Sequence, residues 1–246
     1  MNTQRKTVLV TGSGQGIGRG VALGLAERGW HVLVADIDEQ RAKTVAAEAG
    51  GEAVVVDIAS AQSCREAAEQ LQRQGVVLDG LVNNAALFST LTMKPFWEID
   101  EQEWNRVLGV NLTGTWQLTK ALLPALRGAE SASIVNVAAS AVWIGRPHYA
   151  HYVASKAGLI GLTYVMSREL AGSGIRANAV TPGSVQTEIP RTTITADQVR
   201  KQVEAQNVQR PATPDDLVGA IAFLLGPDSG FVSGQTVNVD GGLTVR

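Results

Sequence analysis

The sequence is poor in cysteine, in charge of a single sign and in long hydrophobic runs. Cys64 is the only cysteine among 246 residues, which excludes an internal disulfide framework and a cysteine-rich zinc site. Lys and Arg number 21 against 23 Asp and Glu, so the net charge of −2 lacks the basic excess typical of nucleic-acid-binding proteins. No uncharged apolar stretch reaches the roughly 18 residues of a membrane span. Residues 1–6 are polar and the apolar run after them is short, so we expect a cytoplasmic protein.

The sequence contains enough apolar material for a full core. Hydrophobic residues make up 45% of the chain and charged residues 18%, a balance that argues against disorder. A chain of this length buries about 70% of its surface on folding. The fold therefore needs no disulfide or metal to hold it together.

Short apolar runs alternate with helical patterns along almost the whole chain. The runs predict strands at residues 7–11, 31–35, 53–56, 78–82, 133–137, 175–180 and 236–239. The helical patterns predict helices at residues 16–28, 38–49, 60–74, 100–126, 150–171 and 214–225. This alternation predicts an α/β fold with a parallel sheet and helices on both faces. Because no linker-like composition break occurs, we expect a single dinucleotide-binding and catalytic domain over residues 1–246.

One long segment lacks a regular pattern. It runs from residue 181 to residue 213 and is rich in proline. Long connections in compact domains are commonly binding loops or lids. We therefore expect a substrate loop or lid around residues 183–213.

A glycine-rich turn connects the first strand to the first helix. Thr11-Gly12-Ser13-Gly14-Gln15-Gly16-Ile17-Gly18 lets a backbone approach a pyrophosphate closely, and the helix N-terminus adds free N–H groups. Asp36 ends the second strand, where a carboxylate can bind both ribose hydroxyls of an adenosine. That carboxylate would repel a 2′-phosphate, and Gln15 and Ile37 supply no cation. The pattern thus predicts NAD as the cofactor.

A second motif, Tyr152-Val-Ala-Ser-Lys156, places a phenol and an ammonium on one face of a helix. The phenol normally titrates near pH 10. A neighbouring ammonium favours the phenolate and brings the Tyr152 pKa toward a useful range for acid–base catalysis.

These motifs occur in one order with several others across nearly the whole chain. The others are Val56-Asp57-Ile58, Leu81-Val-Asn-Asn-Ala85, Asn111 within Val110–Gly114, Ile134–Val137, Ile175-Arg-Ala-Asn178, Pro182-Gly183, Ser233-Gly-Gln235 and Asp240-Gly-Gly242. In this the chain resembles the classical short-chain dehydrogenase/reductases. The resemblance implies a Rossmann-like doubly wound sheet of about seven strands and a homotetramer or homodimer.

The resemblance also implies roles for individual residues. Tyr152 would be the catalytic acid–base, Lys156 would hold the nicotinamide ribose and lower the Tyr152 pKa, and Asn111 would kink its helix and help hold a relay water. The expected cofactor contacts beyond the glycine turn and Asp36 are Ile37, Asp57, Ile58, Asn84, Ala85, Ala86, Pro182, Gly183, Val185 and Thr187. Ala86 stands where the family has glycine, a small change if its φ is negative.

One departure concerns the catalytic serine of the family. In the family this serine lies three residues after the asparagine that matches Asn136 and thirteen residues before the tyrosine that matches Tyr152. Both spacings reach Ala139 in this chain, and Ser140 is the next residue. In a regular strand end the Ser140 side chain would point away, whereas a bulge could turn it back. Three readings stay open: Ser140 has taken over as the catalytic donor, Tyr149 or His148 replaces it, or activity is reduced. For an active enzyme we predict Ser140.

The remaining predictions concern the substrate. Leu87, Phe88, Trp143, Ile144, Tyr149 and parts of 182–194 form an apolar set of pocket residues, with Arg146 and Arg191 as its only cations. They suggest a hydrophobic or aromatic secondary alcohol and its ketone, interconverted by hydride transfer. The alternatives are a 3-oxoacyl group on an acyl carrier protein, or a non-catalytic dinucleotide-binding protein. The three histidines are scattered, so no metal site is expected.

Overall fold

The computed structural model describes residues 5–190 and 195–245. Its centre is a seven-stranded sheet in the order β3-β2-β1-β4-β5-β6-β7, in which each neighbouring pair is parallel. The strands are β1 Thr7–Thr11, β2 His31–Asp36, β3 Glu52–Val55, β4 Gly80–Asn83, β5 Ala132–Val137, β6 Ile175–Pro182 and β7 Thr236–Val239. The predicted α/β sheet with seven strands is confirmed.

Helices connect the strands and cover the sheet. They are α1 Gly16–Glu27, α2 Glu39–Ala49, α3 Ala61–Arg73, α4 Glu101–Leu108, α5 Thr115–Arg127, α6 Ala150–Glu169, α7 Ala196–Glu204 and α8 Asp215–Leu225. A π-helical segment, Gly109–Gly114, joins α4 to α5.

The sheet is buried on both faces, which explains its uninterrupted apolar strands. Within β1, Val8 and Val10 pack on one side with residues of α1, α2 and α8. Leu9 points to the other side and packs with residues of α3 and α5. Alternate strand residues thus serve two separate cores.

The chain reverses its direction of winding at β1, which lies between β2 and β4. In open α/β sheets such a reversal leaves a crevice beyond the carboxyl ends of the strands, where ligands bind. The ends of β1, β2, β4, β5 and β6 all meet this edge. The fold therefore brings residues that are distant in sequence to one crevice.

Two helical predictions need correction. The single helix predicted over 100–126 is divided by the π-helical segment around Asn111. The segment predicted as irregular contains α7, which begins with a capping box between Thr195 and Gln198. Because α7 is short and largely exposed, its apolar periodicity is weak, but the Thr-x-x-Gln cap is visible in the sequence. Residues 191–194 of that segment lie outside the described residues.

Candidate active site

A cavity of about 390 Å³ opens at the carboxyl edge of the sheet. It is lined by the glycine turn and by the residues that follow β2, β3, β4, β5 and β6. All the predicted cofactor-contacting residues except Gly14 line it: Gly12, Gln15, Gly16, Ile17, Gly18, Asp36, Ile37, Asp57, Ile58, Asn84, Ala85, Ala86, Tyr152, Lys156, Pro182, Gly183, Val185 and Thr187.

The glycine turn is packed so closely that two of its glycines have no room for a side chain. A Cβ on Gly18 would lie 2.1 Å from the carbonyl oxygen of Gly12. Gly12 has φ +61°, and its Cβ would lie 2.7 Å from Cα of Ala85. Asn84 closes the turn, since its amide donates to the carbonyl oxygens of Thr11 and Gly12 at 2.9 and 3.2 Å. The turn is thus a rigid backbone cradle open to the cavity.

Gly14, the predicted cofactor contact that does not line the cavity, contacts Asp36. Its N–H donates to Oδ2 of Asp36 at 2.8 Å, and a Cβ there would lie 2.7 Å from Cβ of Arg41 and 2.9 Å from Asp36 Oδ2. Oδ1 of Asp36 accepts a hydrogen bond from the N–H of Asp38 at 3.0 Å. Gly14 therefore fixes Asp36 rather than lining the cavity.

Arg41 is a cation near this end of the cavity that the sequence analysis missed. Its Nη1 donates to Oε1 of Gln15 at 2.6 Å, and its Nε lies 3.2 Å from Oδ2 of Asp38. Arg41 stands in the first turn of α2, three residues after the cap Asp38. Arg41 comes five residues after Asp36, beyond the positions that the sequence analysis weighed as sources of a cation.

A carboxylate from the predicted lid contacts the glycine turn. Oε1 of Glu188 accepts the N–H of Gly16 at 2.7 Å. The first turn of α1 has no Asp or Glu of its own, so Glu188 supplies the negative charge that a helix N-terminus favours. The next residue, Ile189, also reaches the turn, since a Cβ on Gly16 would lie 2.8 Å from its Cδ1.

Tyr152 and Lys156 lie on the buried face of α6 and border the cavity. Nζ of Lys156 donates to the carbonyl oxygen of Val137 at 2.6 Å and lies 5.9 Å from the Tyr152 ring centroid. Burial lowers the pKa of Lys156 to about 8. The Phe88 ring packs on the Tyr152 ring with centroids 4.5 Å apart. A phenol and an ammonium are thus held close together, both largely buried, at the wall of the cavity.

Asn111 is fully buried in the π-helical segment. Its Oδ1 accepts the N–H of Leu87 at 2.7 Å, and its Nδ2 donates to the Leu87 carbonyl oxygen and to Oγ of Ser155, each at 3.2 Å. Asn111 therefore ties the loop after β4 to α6. The predicted contact of Asn111 with a relay water stays a prediction.

Ala139 and Ser140 both line the cavity. β5 ends at Val137, Ala139 is extended with φ −162° and ψ 143°, and Ser140 begins a one-turn 3₁₀ helix. The strand alternation that would turn Ser140 away has therefore ended before this point. The catalytic role of Ser140 remains a prediction.

The substrate end of the cavity differs in part from the predicted set. Leu87, Phe88, Ile144 and Arg146 line it. Trp143 instead donates from Nε1 to Oδ1 of Asn238 at 2.8 Å, which holds it against β7.

Tyr149 is buried behind Phe88, with ring centroids 5.5 Å apart, and does not line the cavity. The guanidinium carbon of Arg146 lies 5.0 Å from the Tyr149 ring centroid. Arg191 lies outside the described residues.

The lining residues that the sequence analysis missed include Gln202, Gln206 and Leu243. Gln202 lies in the last turn of α7, and Gln206 follows the helix directly after its C-cap Ala205. Oε1 of Gln202 is buried without a hydrogen-bond partner among the described residues. Leu243 directly follows the Asp240-Gly-Gly242 motif. Recognising α7 would have drawn attention to Gln202.

The described parts of the chain contain neither a metal-type cluster nor a membrane-spanning helix. No three His, Cys, Asp or Glu side chains there come together in a group that could hold a metal ion. No helix within the same residues is long and apolar enough to cross a membrane.

The fold and the cavity define a Rossmann-like α/β protein with a buried tyrosine–lysine pair beside a dinucleotide-type cradle. A family model described as enoyl-(acyl carrier protein) reductase matches residues 12–244. The chain belongs to the short-chain dehydrogenase/reductase family of oxidoreductases.

Relatives of this chain are similar over their full length. The 3-oxoacyl-[acyl-carrier-protein] reductase FabG of Thermotoga maritima is 32% identical and covers 100% of both chains. That of Staphylococcus aureus strain Mu50 is 34% identical over 97% of this chain and 98% of its own. The 3-ketoacyl-(acyl-carrier-protein) reductase from Brucella melitensis, solved with NADH, has a TM-score of 0.89 at 32% identity over 98% of each chain. A gluconate dehydrogenase described as putative from Agrobacterium tumefaciens has a TM-score of 0.92 at 33% identity, over 98% and 97%.

Proposed function

We propose that the protein reduces a 3-oxoacyl group, carried as a thioester, to the 3-hydroxyacyl product. The full-length similarity to relatives named 3-oxoacyl-[acyl-carrier-protein] reductases supports this more specific reading over a general ketone reductase. A 3-oxoacyl group is itself a ketone, and its product is a secondary alcohol, so the sequence-based expectation is narrowed rather than replaced. The apolar side chains Leu87, Phe88 and Ile144 suit an acyl chain.

The residues at the cradle fit a nicotinamide dinucleotide. Gly12 and Gly18 leave no room for side chains, so backbone can approach a pyrophosphate. When bound in its reduced form, this cofactor would supply a hydride to the carbonyl carbon. The fixed carboxylate of Asp36 favours NAD, because a 2′-phosphate would be repelled there. Arg41, paired with Asp38, reduces that repulsion without abolishing it.

Tyr152 would donate its phenolic proton to the substrate oxygen as negative charge develops on it. Lys156 would stabilise the resulting phenolate by its positive charge. Ser140 borders the same cavity and would donate a second hydrogen bond to the substrate oxygen. Phe88 covers Tyr152 and limits access of water.

A turnover assay tests the proposal. Purified protein is mixed with acetoacetyl-coenzyme A, with longer 3-oxoacyl thioesters and with a panel of simple ketones, and oxidation of NADH or NADPH is read at 340 nm. We expect the thioesters to have the highest kcat/KM and NADH to bind at least tenfold more tightly than NADPH, about 1.4 kcal/mol. A higher kcat/KM for simple ketones would overturn the substrate proposal. Absence of turnover on every substrate would favour the non-catalytic alternative.

We also propose that the protein is a homotetramer or a homodimer. Trp104 on α4 and Trp116 on α5 are 36% and 46% exposed, and Phe231 beyond α8 is fully exposed. Large aromatic side chains on a surface are typical of subunit interfaces. Light scattering coupled to size-exclusion chromatography would measure the assembly, and a monomer at micromolar concentration would contradict this.

A further inference from the structure

The first turn of α6 is capped in an unusual way. The first N–H groups of a helix have no partner within the helix and need an outside acceptor. The N-cap position of α6 holds Tyr149 rather than Ser, Thr, Asp or Asn. The N–H of Tyr152 donates instead to Nδ1 of His151 at 2.9 Å. The imidazole of one residue therefore fixes the backbone of the next, the residue to which we assign the proton transfer.

The orientation of His151 is set by an acidic partner. His151 is fully buried, and its Nε2 lies 3.2 Å from Oε1 of Glu103 on α4. Because Nδ1 accepts a hydrogen bond, the neutral ring carries its proton on Nε2 and donates it to Glu103. The other carboxylate oxygen of Glu103 pairs with the ammonium of Lys94. The hydrogen bond from Lys94 lowers the pKa of Glu103, which keeps it an acceptor.

The same group of side chains joins three parts of the chain. Lys94 belongs to the loop between β4 and α4, and its backbone N–H donates to the carbonyl oxygen of His148 at 3.2 Å. Among residues 5–190 and 195–245, His148 is the only non-glycine residue with a positive φ, at +67°. That conformation is unfavourable for histidine and needs support from its surroundings. Lys94, Glu103 and His151 thus hold the chain just before Tyr152.

We propose that His151, oriented by Glu103, is a positioning residue that determines the orientation of the Tyr152 phenol. The inference rests on the proposed role of Tyr152. His151 does not line the cavity and needs no contact with substrate. Phe88 packs on the Tyr152 ring and restricts the movement of that ring on one side. The capping bond fixes the backbone from which that ring extends.

Two substitutions of His151 each remove one of its two hydrogen bonds. One keeps the bond from the Tyr152 N–H, and the other keeps the contact with Glu103. In His151→Asn the amide oxygen lies near the position of Nδ1 and can still accept the Tyr152 N–H, but the side chain is too short to reach Glu103. In His151→Gln the amide reaches toward Glu103 but leaves no acceptor at the Nδ1 position. We expect kcat to fall tenfold or more in His151→Gln and about threefold or less in His151→Asn. KM and the Kd for NADH should change little in both.

Hydrogen exchange supplies a readout that does not depend on turnover. The Tyr152 amide should exchange faster in His151→Gln than in the parent protein, and His151→Asn should restore its protection. His31→Asn is the matched control, because His31 also contacts a glutamate, Glu52 at 3.1 Å, far from the cavity. That variant should leave kcat and Tyr152 exchange unchanged.

The outcomes separate this proposal from the proposed function. Faster exchange with unchanged kcat in His151→Gln would overturn the positioning role. Equal losses of kcat in the Asn and Gln variants would also overturn it, because burial alone would then explain the effect. If the parent protein turns over none of the substrates, the proposed function fails, and this proposal fails with it even if exchange shows that the capping bond exists.

Discussion

Replacing Lys156 by methionine should stabilise the protein while removing its activity. Lys156 is buried, and its lowered pKa of about 8 means that the fold carries an unfavourable buried charge at neutral pH. Methionine has a similar length and no charge. The substitution therefore removes the penalty of burial together with the ammonium that the proposed mechanism requires.

The magnitude follows from the pKa of Lys156. A decrease from 10.5 to about 8 corresponds to about 3 kcal/mol of unfavourable interaction when the amine is charged. Methionine also loses the hydrogen bond to the Val137 carbonyl oxygen, which costs about 1–2 kcal/mol when that oxygen can be hydrated from the cavity. We expect a net gain of about 1–2 kcal/mol in the free energy of unfolding at pH 7.

The dependence on pH gives the sharper test. The folded state releases the Lys156 proton near pH 8, whereas the unfolded state keeps it until about 10.5, so the parent protein gains stability as pH rises between these values. By pH 9.5 the advantage of Lys156→Met should have shrunk by about 2 kcal/mol.

Urea unfolding at pH 7.0 and 9.5, at one protein concentration, measures this change. Lys43→Met on the exposed face of α2 serves as a control that should shift stability little at either pH. A Lys156→Met advantage that does not change with pH, or a loss of stability at pH 7, would refute the reasoning.

Three further predictions concern the site. Tyr152→Phe should abolish turnover while leaving the Kd for NADH nearly unchanged, because only the proton-transfer group is lost; more than a tenth of the parent kcat would show that another group carries the proton. Ser140→Ala should lower kcat about a hundredfold, as expected for loss of a donor to the substrate oxygen, and Ala139→Ser should raise it; a normal rate in Ser140→Ala would assign the donor elsewhere. Glu188→Gln should tighten binding of ADP-ribose about two- to fivefold, because Glu188 competes with a pyrophosphate for the N–H of Gly16. Binding of adenosine, which has no pyrophosphate, should not change. Calorimetry measures both affinities, and an equal change for the two ligands would contradict competition.

Much of the fold could be predicted because its signals are local. The inner strands β1, β2, β4, β5 and β6 are short apolar runs that are almost entirely buried, and the edge strands β3 and β7 are short runs that are partly exposed. Run length and composition are therefore sufficient to find them. The helix α7 was missed because few of its side chains are buried and its apolar pattern is faint. The π-helical segment could be expected only from the resemblance at Asn111, since apolar spacing alone gave one continuous helix.

Prediction of the site succeeded where a motif is local in sequence. It failed where the contacting residues are distant in sequence. The glycine turn and the Tyr152–Lys156 pair are local patterns. Glu188 meets Gly16 across 172 residues, and His151 meets Glu103 across 48. No spacing rule connects such pairs, because the sheet brings them together. Trp143 was misplaced for the same reason, since its partner Asn238 comes from the last strand.

The π-helical segment that buries Asn111 also determines how far α5 is rotated relative to α4 about their common axis. Trp104 and Trp116 are twelve positions apart, which in a regular α-helix turns them about 120° away from each other. A π-helical turn takes up one extra residue, so the pair counts as eleven positions apart, about three full turns. This count predicts that the two indoles lie on one face of the combined helix. Deleting a single residue from this segment would withdraw Asn111 from Leu87 and rotate Trp116 away from Trp104, so that one deletion would damage both the loop after β4 and the proposed subunit contact.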